Sequence, residues 1–194
     1  MIKAVIFDFF GVLATEGVTS FNKDFFAGDK EKLKQIDQLV DKLNMATLGY
    51  NDFVAKVAQL AGVNEQIVRE YMDVNHPNRP LLDYIRTALK PHYKLGIISN
   101  AGGNWVEEIL GNNDAVMFDD VVLSHKVGFA KPQAEIYEIA LDKLGLKAAE
   151  CVFIDDIERY CDAARGLGMR VIHYQDFEQM KTELEKILAT VADN

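Results

Sequence analysis

The chain has 194 residues, 49% of them apolar and 26% charged, the proportions of a globular protein long enough to bury a full core. Its net charge of −9 argues against non-specific attraction to nucleic acid or to an anionic membrane surface, although a site can still focus positive charge locally. The two cysteines, Cys151 and Cys161, fit no metal-ligand spacing, nor do the scattered His76, His92, His125 and His173; a reducing, cytoplasmic setting is expected.

The first predicted element is Ala4–Phe9, an apolar run of strand length that carries Asp8 near its end and is followed by Gly11, where the backbone can turn. It is too short, and too soon interrupted by Asp8, for a signal peptide or a membrane span. No strand is expected from Thr15 to Pro80. Lys30–Leu43, Asn51–Leu60 and Asn64–Met72 carry helical patterning, punctuated by Gly49 and Gly62, and Phe21, Phe25, Phe26, Tyr50 and Phe53 are expected to form the core of this block. Asn75-His76-Pro77-Asn78-Arg79-Pro80 reads as its return hinge. Further strands are expected at Tyr93–Ile98, Asp120–Leu123, Cys151–Ile154 and Arg170–Tyr174. Ile136, Ile139, Ala140 and Leu144 form one helical stripe, and Met180, Leu184, Ile187 and Leu188 another. Strand and helix in alternation predict an α/β fold with a parallel sheet covered on both faces. The block at 15–80 is expected to be an inserted helical cap, and residues 1–14 and 81–194 the core domain. No repeat or low-complexity tract is present, and Gly102-Gly103 is not a G-x-G-x-x-G motif.

Ligands of such folds bind beyond the carboxyl ends of the strands, and four of the predicted strands deliver polar residues there. The first delivers Asp8. The second delivers Ser99-Asn100, a hydroxyl and an amide able to bind phosphate or carboxylate, or to cap a helix. The third leads to Lys131 before Pro132, at the positive end of a helix dipole where a cation needs a compensating anion. The fourth delivers Asp155-Asp156, two adjacent acids whose burial is costly unless a cation or hydrogen bonds compensate. Asp156 could instead cap the next helix while Asp155 faces solvent. With Asp8 expected at the neighbouring strand end, a hard divalent cation with oxygen ligands is favoured, Mg²⁺ above others.

These residues, in this order and spacing, resemble the haloacid dehalogenase-like hydrolases over essentially the whole chain. Asn78 to Leu82, Gly128 to Tyr137 and Phe153 to Met169 resemble the branch of the epoxide hydrolase N-terminal phosphatase domain and bacterial sugar-1-phosphate phosphatases. The resemblance implies a Rossmann-like three-layer sheet with a helical cap, and a Mg²⁺-dependent phosphatase acting on a small phosphorylated metabolite as monomer or homodimer. It makes Asp8 the nucleophile, and Asp8, the carbonyl of Phe10, Asp156 and Asp155 the metal ligands. Ser99, Asn100 and Lys131 would hold the phosphoryl group, Lys131 also neutralising charge on the nucleophile. Two departures stand out. Phe10 occupies the place of the aspartate that protonates the leaving oxygen and later activates water, which some members of this branch also lack. Tyr160 stands where many relatives carry asparagine. Without that aspartate, leaving groups that need little protonation, as in sugar-1-phosphates, acyl phosphates and aryl phosphates, are expected to do best. Glu16 is a weak substitute, read as a solvated residue near the hinge. The alternatives are a 2-haloacid dehalogenase, whose branch also carries an aromatic residue at the place of Phe10, and a metal- or phosphate-binding protein without turnover.

Overall fold

The structure, a computed structural model, describes residues 1–15, 17–44, 47–72, 75–101, 103 and 105–189. In chain order the elements are β1 (Ala4–Phe7), α1 (Gly17–Phe25), α2 (Lys30–Asn44), α3 (Tyr50–Ala61), α4 (Glu65–Met72) and α5 (Arg79–Tyr84). The last of these runs into a π-helical turn at Ile85–Leu89. Then follow β2 (Lys94–Ser99), α6 (Trp105–Leu110), α7 (Asn112–Ala115), β3 (Asp120–Leu123), α8 (Ser124–Val127) and α9 (Ala134–Leu144). A 3₁₀ turn at Ala148–Glu150 precedes β4 (Cys151–Asp155), α10 (Glu158–Gly166), β5 (Arg170–His173) and α11 (Phe177–Ala189).

The five strands form one parallel sheet in the order β3-β2-β1-β4-β5. The chain leaves β1 toward β2 and β3, then returns across to β4 and β5, so the order reverses between β1 and β4. Such a reversal opens a crevice at the carboxyl ends of those two strands. The register opposes Phe7 to Ile154, and the Asp8 amide donates to the Ile154 carbonyl at 2.8 Å. Asp8 and Asp155 therefore leave the sheet side by side.

Alternation along each strand divides the core into two apolar layers. Val5, Phe7, Leu95, Ile97, Val152 and Ile154 face Leu81, Leu82, Ile85, Met180 and Leu184. Ala4, Ile6, Ile98 and Phe153 face Ile136, Tyr137, Ala140 and Leu144. Burial of each Val, Leu, Ile, Phe or Met side chain among them stabilises the fold by about 1.5–3 kcal/mol. α1 to α4 bury a third, separate cluster around Phe21, Phe26, Ile36, Phe53, Val57 and Val68, with Phe25 and Tyr50 packed against it. The two connections of this helical block run together. Thr15 N donates to His76 O at 2.9 Å, His76 N to Thr15 Oγ1 at 2.8 Å, and Asn78 N to Leu13 O at 2.8 Å.

The sheet differs from the sequence expectation at its ends. β1 stops at Phe7 because the Asp8 carboxylate accepts the Phe9 N–H at 2.6 Å and the amides of Leu13 and Ala14 both turn back to Phe9 O. Gly11 sits in that turn at φ +87°, where a Cβ would also collide with the Asp156 carboxylate. β5 likewise stops at His173, and β2 extends through Ser99. α1 carries no strong cap or repeat in sequence and was not among the expected helices; its Phe21 is buried by packing against Phe25, Phe26 and Tyr71.

Candidate active site

Lys131 is the hub of the crevice. Its side chain is almost wholly buried, and its ammonium lies 2.7 Å from Asp8 Oδ1 and 2.6 Å from Asp155 Oδ2. Burial alone would lower the lysine pKa, but Asp155 and Asp8 outweigh it and hold the group well above its usual range, so it stays charged. Asn100 fixes the loop that presents it: Nδ2 donates to the Lys131 carbonyl at 2.9 Å, and Oδ1 accepts the Lys131 N–H at 2.7 Å. The expected phosphate ligand Asn100 thus spends its amide on Lys131. Ser99, by contrast, is buried with a hydroxyl that has no partner among the described residues.

The two adjacent acids divide sharply. Asp155 is fully buried with both oxygens engaged, Oδ2 by Lys131 and Oδ1 by the Ile157 N–H at 2.8 Å. That overturns the alternative in which Asp155 faces solvent and Asp156 caps the next helix; α10 has no side-chain cap. Asp156 keeps a buried Oδ1 with no partner, while His173 Nε2 lies 2.9 Å from its carbonyl oxygen. Oxygens of Asp8, Asp155 and Asp156 lie within 4.8 Å of one another. Burial, then repulsion by Asp155, raises the Asp156 pKa to about 6, and the same two causes raise Asp8 against the opposing pull of Lys131. Three carboxylates facing one ammonium leave an excess of two negative charges. A divalent cation fits that excess, the all-oxygen donor set and the unpartnered Asp156 oxygen together.

A cavity of about 430 Å³ opens onto this cluster, lined by Asp8, Phe10, Ser99, Asn100, Lys131 and, from the first turn of α10, Arg159 and Tyr160. Its other wall is helical: Val18, Asn22, Asp37, Val40, Asp41 and Asn44. Arg159 bridges the two walls, donating to Asp41 at 2.6 Å. A larger, mainly apolar cavity of about 550 Å³ shares Phe10, Val18, Val40 and Asn44 with the first and continues to Leu43, Leu48, Phe53, Trp105 and Ile109. All seven sequence-predicted site residues thus meet at one crevice. Arg159, Asp41 and Trp105 carried no sequence signal, because nothing in a local pattern shows that their side chains converge. His76 lines neither cavity, and Glu16 lies outside the described residues.

A model of the haloacid dehalogenase-like hydrolases matches residues 2–168. The chain belongs to this family. Among curated relatives, this hydrolase is 33% identical over 118 residues to bifunctional epoxide hydrolase 2 of Sus scrofa, covering 57% of the chain but only 21% of that protein. It is 27% identical over 191 residues to phosphatase MT3486 of Mycobacterium tuberculosis, covering 87% of the chain and 85% of the relative. In structure it is similar to a haloacid dehalogenase family enzyme of Bacteroides thetaiotaomicron solved with magnesium and inorganic phosphate, at TM-score 0.65 and 23% identity over 93% of the chain and 99% of the neighbour. Among the described residues no helix of the hydrolase is long and apolar enough to cross a membrane.

Proposed function

We propose that this hydrolase cleaves phosphomonoesters through an aspartyl-phosphate on Asp8. The observation that carries the reading is the Asp8–Lys131–Asp155 arrangement beside an unpartnered Asp156 oxygen. A carboxylate held against a buried ammonium is oriented for in-line attack on phosphorus, and the unsatisfied Ser99 hydroxyl and the ammonium can hold the transferring oxygens. Lys131 acts as a point charge, and Asn100 as the clamp that keeps it in place. Asp8, the Phe10 carbonyl and Asp156 would hold Mg²⁺, with Asp155 contributing mainly through Lys131. The ion, when bound, supplies neutralisation of the charge that the phosphate brings to three carboxylates. A relative named as a phosphatase and a fold neighbour holding magnesium and phosphate support this assignment.

Residues 15–80 act in this reading as the cap domain over a core of 1–14 and 81–194, excluding water and choosing the substrate. The apolar cavity beside the site favours a leaving group with an apolar body over a polyhydroxylated sugar. A 2-haloacid dehalogenase is less well supported, because three carboxylates would repel a carboxylate substrate.

The test is phosphate release from p-nitrophenyl phosphate with Mg²⁺ or with EDTA, for wild type and Asp8→Asn. Turnover that needs Mg²⁺ and falls by about 10³-fold or more in Asp8→Asn is expected. Turnover retained in Asp8→Asn would refute the nucleophile, and halide release from a 2-haloacid without metal would point to the dehalogenase.

A further inference from the structure

Phe10 leaves the site without the usual proton donor, and the hydrogen bonds around Tyr160 show where one can come from. Tyr160 is 3% exposed and lines the same cavity as Asp8, Ser99 and Lys131. Its hydroxyl oxygen receives Asn100 Nδ2 at 3.3 Å and an Arg159 N–H at 3.1 Å. Neither partner can accept a hydrogen bond in return. A guanidinium has no acceptor, and the Asn100 amide cannot be flipped, since its Oδ1 must accept the Lys131 N–H while its Nδ2 donates to the Lys131 carbonyl. A phenol oxygen has two lone pairs and one hydrogen, so both lone pairs are taken and only the hydrogen is left. That O–H has no acceptor among the described residues. A buried polar hydrogen in this state is satisfied by whatever enters the cavity.

We propose that Tyr160 is the proton donor to the leaving oxygen, in place of the carboxyl group that Phe10 cannot provide. The assignment rests on the phosphatase reading above. In the first half-reaction Asp8 forms its bond to phosphorus. The P–O bond to the leaving group breaks, its electron pair stays on the bridging oxygen, and that oxygen takes the phenol hydrogen. The phenolate left behind already holds two donated hydrogen bonds, from Asn100 and Arg159. The Lys131 ammonium and the Arg159 guanidinium each lie 4.9 Å from the centre of its ring. In the second half-reaction the phenolate takes a proton from water as that water attacks the aspartyl-phosphate, which restores the phenol, frees Asp8 and releases phosphate. Burial keeps the group protonated beforehand, raising the phenol pKa against the pull of Arg159 and Lys131. The Asp41–Arg159 ion pair then acts as a positioning contact from the helical wall, holding one of the two donors in place.

The experiment compares wild type, Tyr160→Phe and Asp8→Asn on an n-alkyl phosphate and on p-nitrophenyl phosphate. It reads kcat/KM, which covers the steps through phosphoryl transfer and not the hydrolysis of the intermediate. Removing only the hydroxyl is expected to lower kcat/KM for the alkyl ester by about 10²-fold or more, because an alkoxide must be protonated as it leaves. For p-nitrophenyl phosphate, whose leaving group needs no proton, the loss should stay below about 5-fold. A burst of p-nitrophenol should appear as the phosphoenzyme waits for an activated water. Equal losses on both esters, or no loss on either, would overturn the proton-donor role. Turnover that survives Asp8→Asn would instead sink the underlying phosphatase reading. An unchanged thermal midpoint for Tyr160→Phe is the expected control; a fall of many degrees makes the parallel loss on both esters a structural effect and counts against the proposal.

Discussion

Asp156 offers the sharpest link between the electrostatics of the crevice and a number that can be measured. Burial and the neighbouring Asp155 carboxylate push its carboxyl up to about 6 in the metal-free folded protein, against about 3.9 for an ordinary aspartate. A raised acid pKa means that the folded state holds the proton more tightly than the unfolded state. The penalty is therefore absent below the unfolded value, grows between about pH 4 and pH 6, and is fully present above. A difference of about 2 pKa units corresponds to roughly 3 kcal/mol against folding at neutral pH. Asp156→Asn removes this charge while keeping the shape, so in EDTA near pH 7.5 the variant should be more stable by about 2–3 kcal/mol. For a domain of this size that is a rise in Tm of roughly 4–12 °C. The two proteins should converge near pH 4, where the wild-type acid is already protonated. Mg²⁺ at about 100 times its Kd should stabilise the wild type by about 2.7 kcal/mol and the variant far less. Thermal unfolding at several pH values, with and without Mg²⁺, measures all of this. A variant less stable than wild type in EDTA at neutral pH, or one that keeps the full Mg²⁺ shift, would refute the reasoning.

Two other predictions concern the substrate cavity and the core. Trp105 is the single tryptophan, is 39% exposed and lines the apolar cavity, so an n-alkyl phosphonate should shift its emission to the blue while glycerol phosphate should not. Equal responses to both ligands would remove the case for an apolar leaving group. Phe153 is fully buried in β4 and packs edge-on against Tyr137, with ring centroids 5.4 Å apart. Phe153→Ala should cost about 3–5 kcal/mol, seen as a lower denaturation midpoint with unchanged slope; a loss below 1 kcal/mol would show that this layer is not packed as described.

Much of the arrangement was legible in the chain. Five apolar runs of strand length read as strands because parallel strands buried on both faces need continuous apolar sequence rather than alternation. The acids and the lysine stood out because each ends such a run or begins a helix, where a charge requires a partner. Helices α2 to α4 could be read from their helical periodicity and from the lack of strand patterning around them. Boundaries shifted by a residue or two where a side chain competed with the ladder, as the Asp8 carboxylate does by capturing the Phe9 N–H. Tyr160 was visible only as a departure from the family pattern. Its meaning depends on Asn100 and Arg159, one of them 60 residues away.

The sequence by itself determined that Asp8, Ser99, Lys131 and the Asp155-Asp156 pair would gather at one sheet edge, because right-handed crossovers bring the carboxyl ends of parallel strands together. Only the tertiary structure decided how they divide the work. Adjacent aspartates are chemically identical until packing spends one on Lys131 and the Ile157 amide and leaves the other with a buried oxygen free. Hydrogen-bond capacity is local chemistry, but which donors reach which acceptors is fixed by contacts between elements distant in the chain.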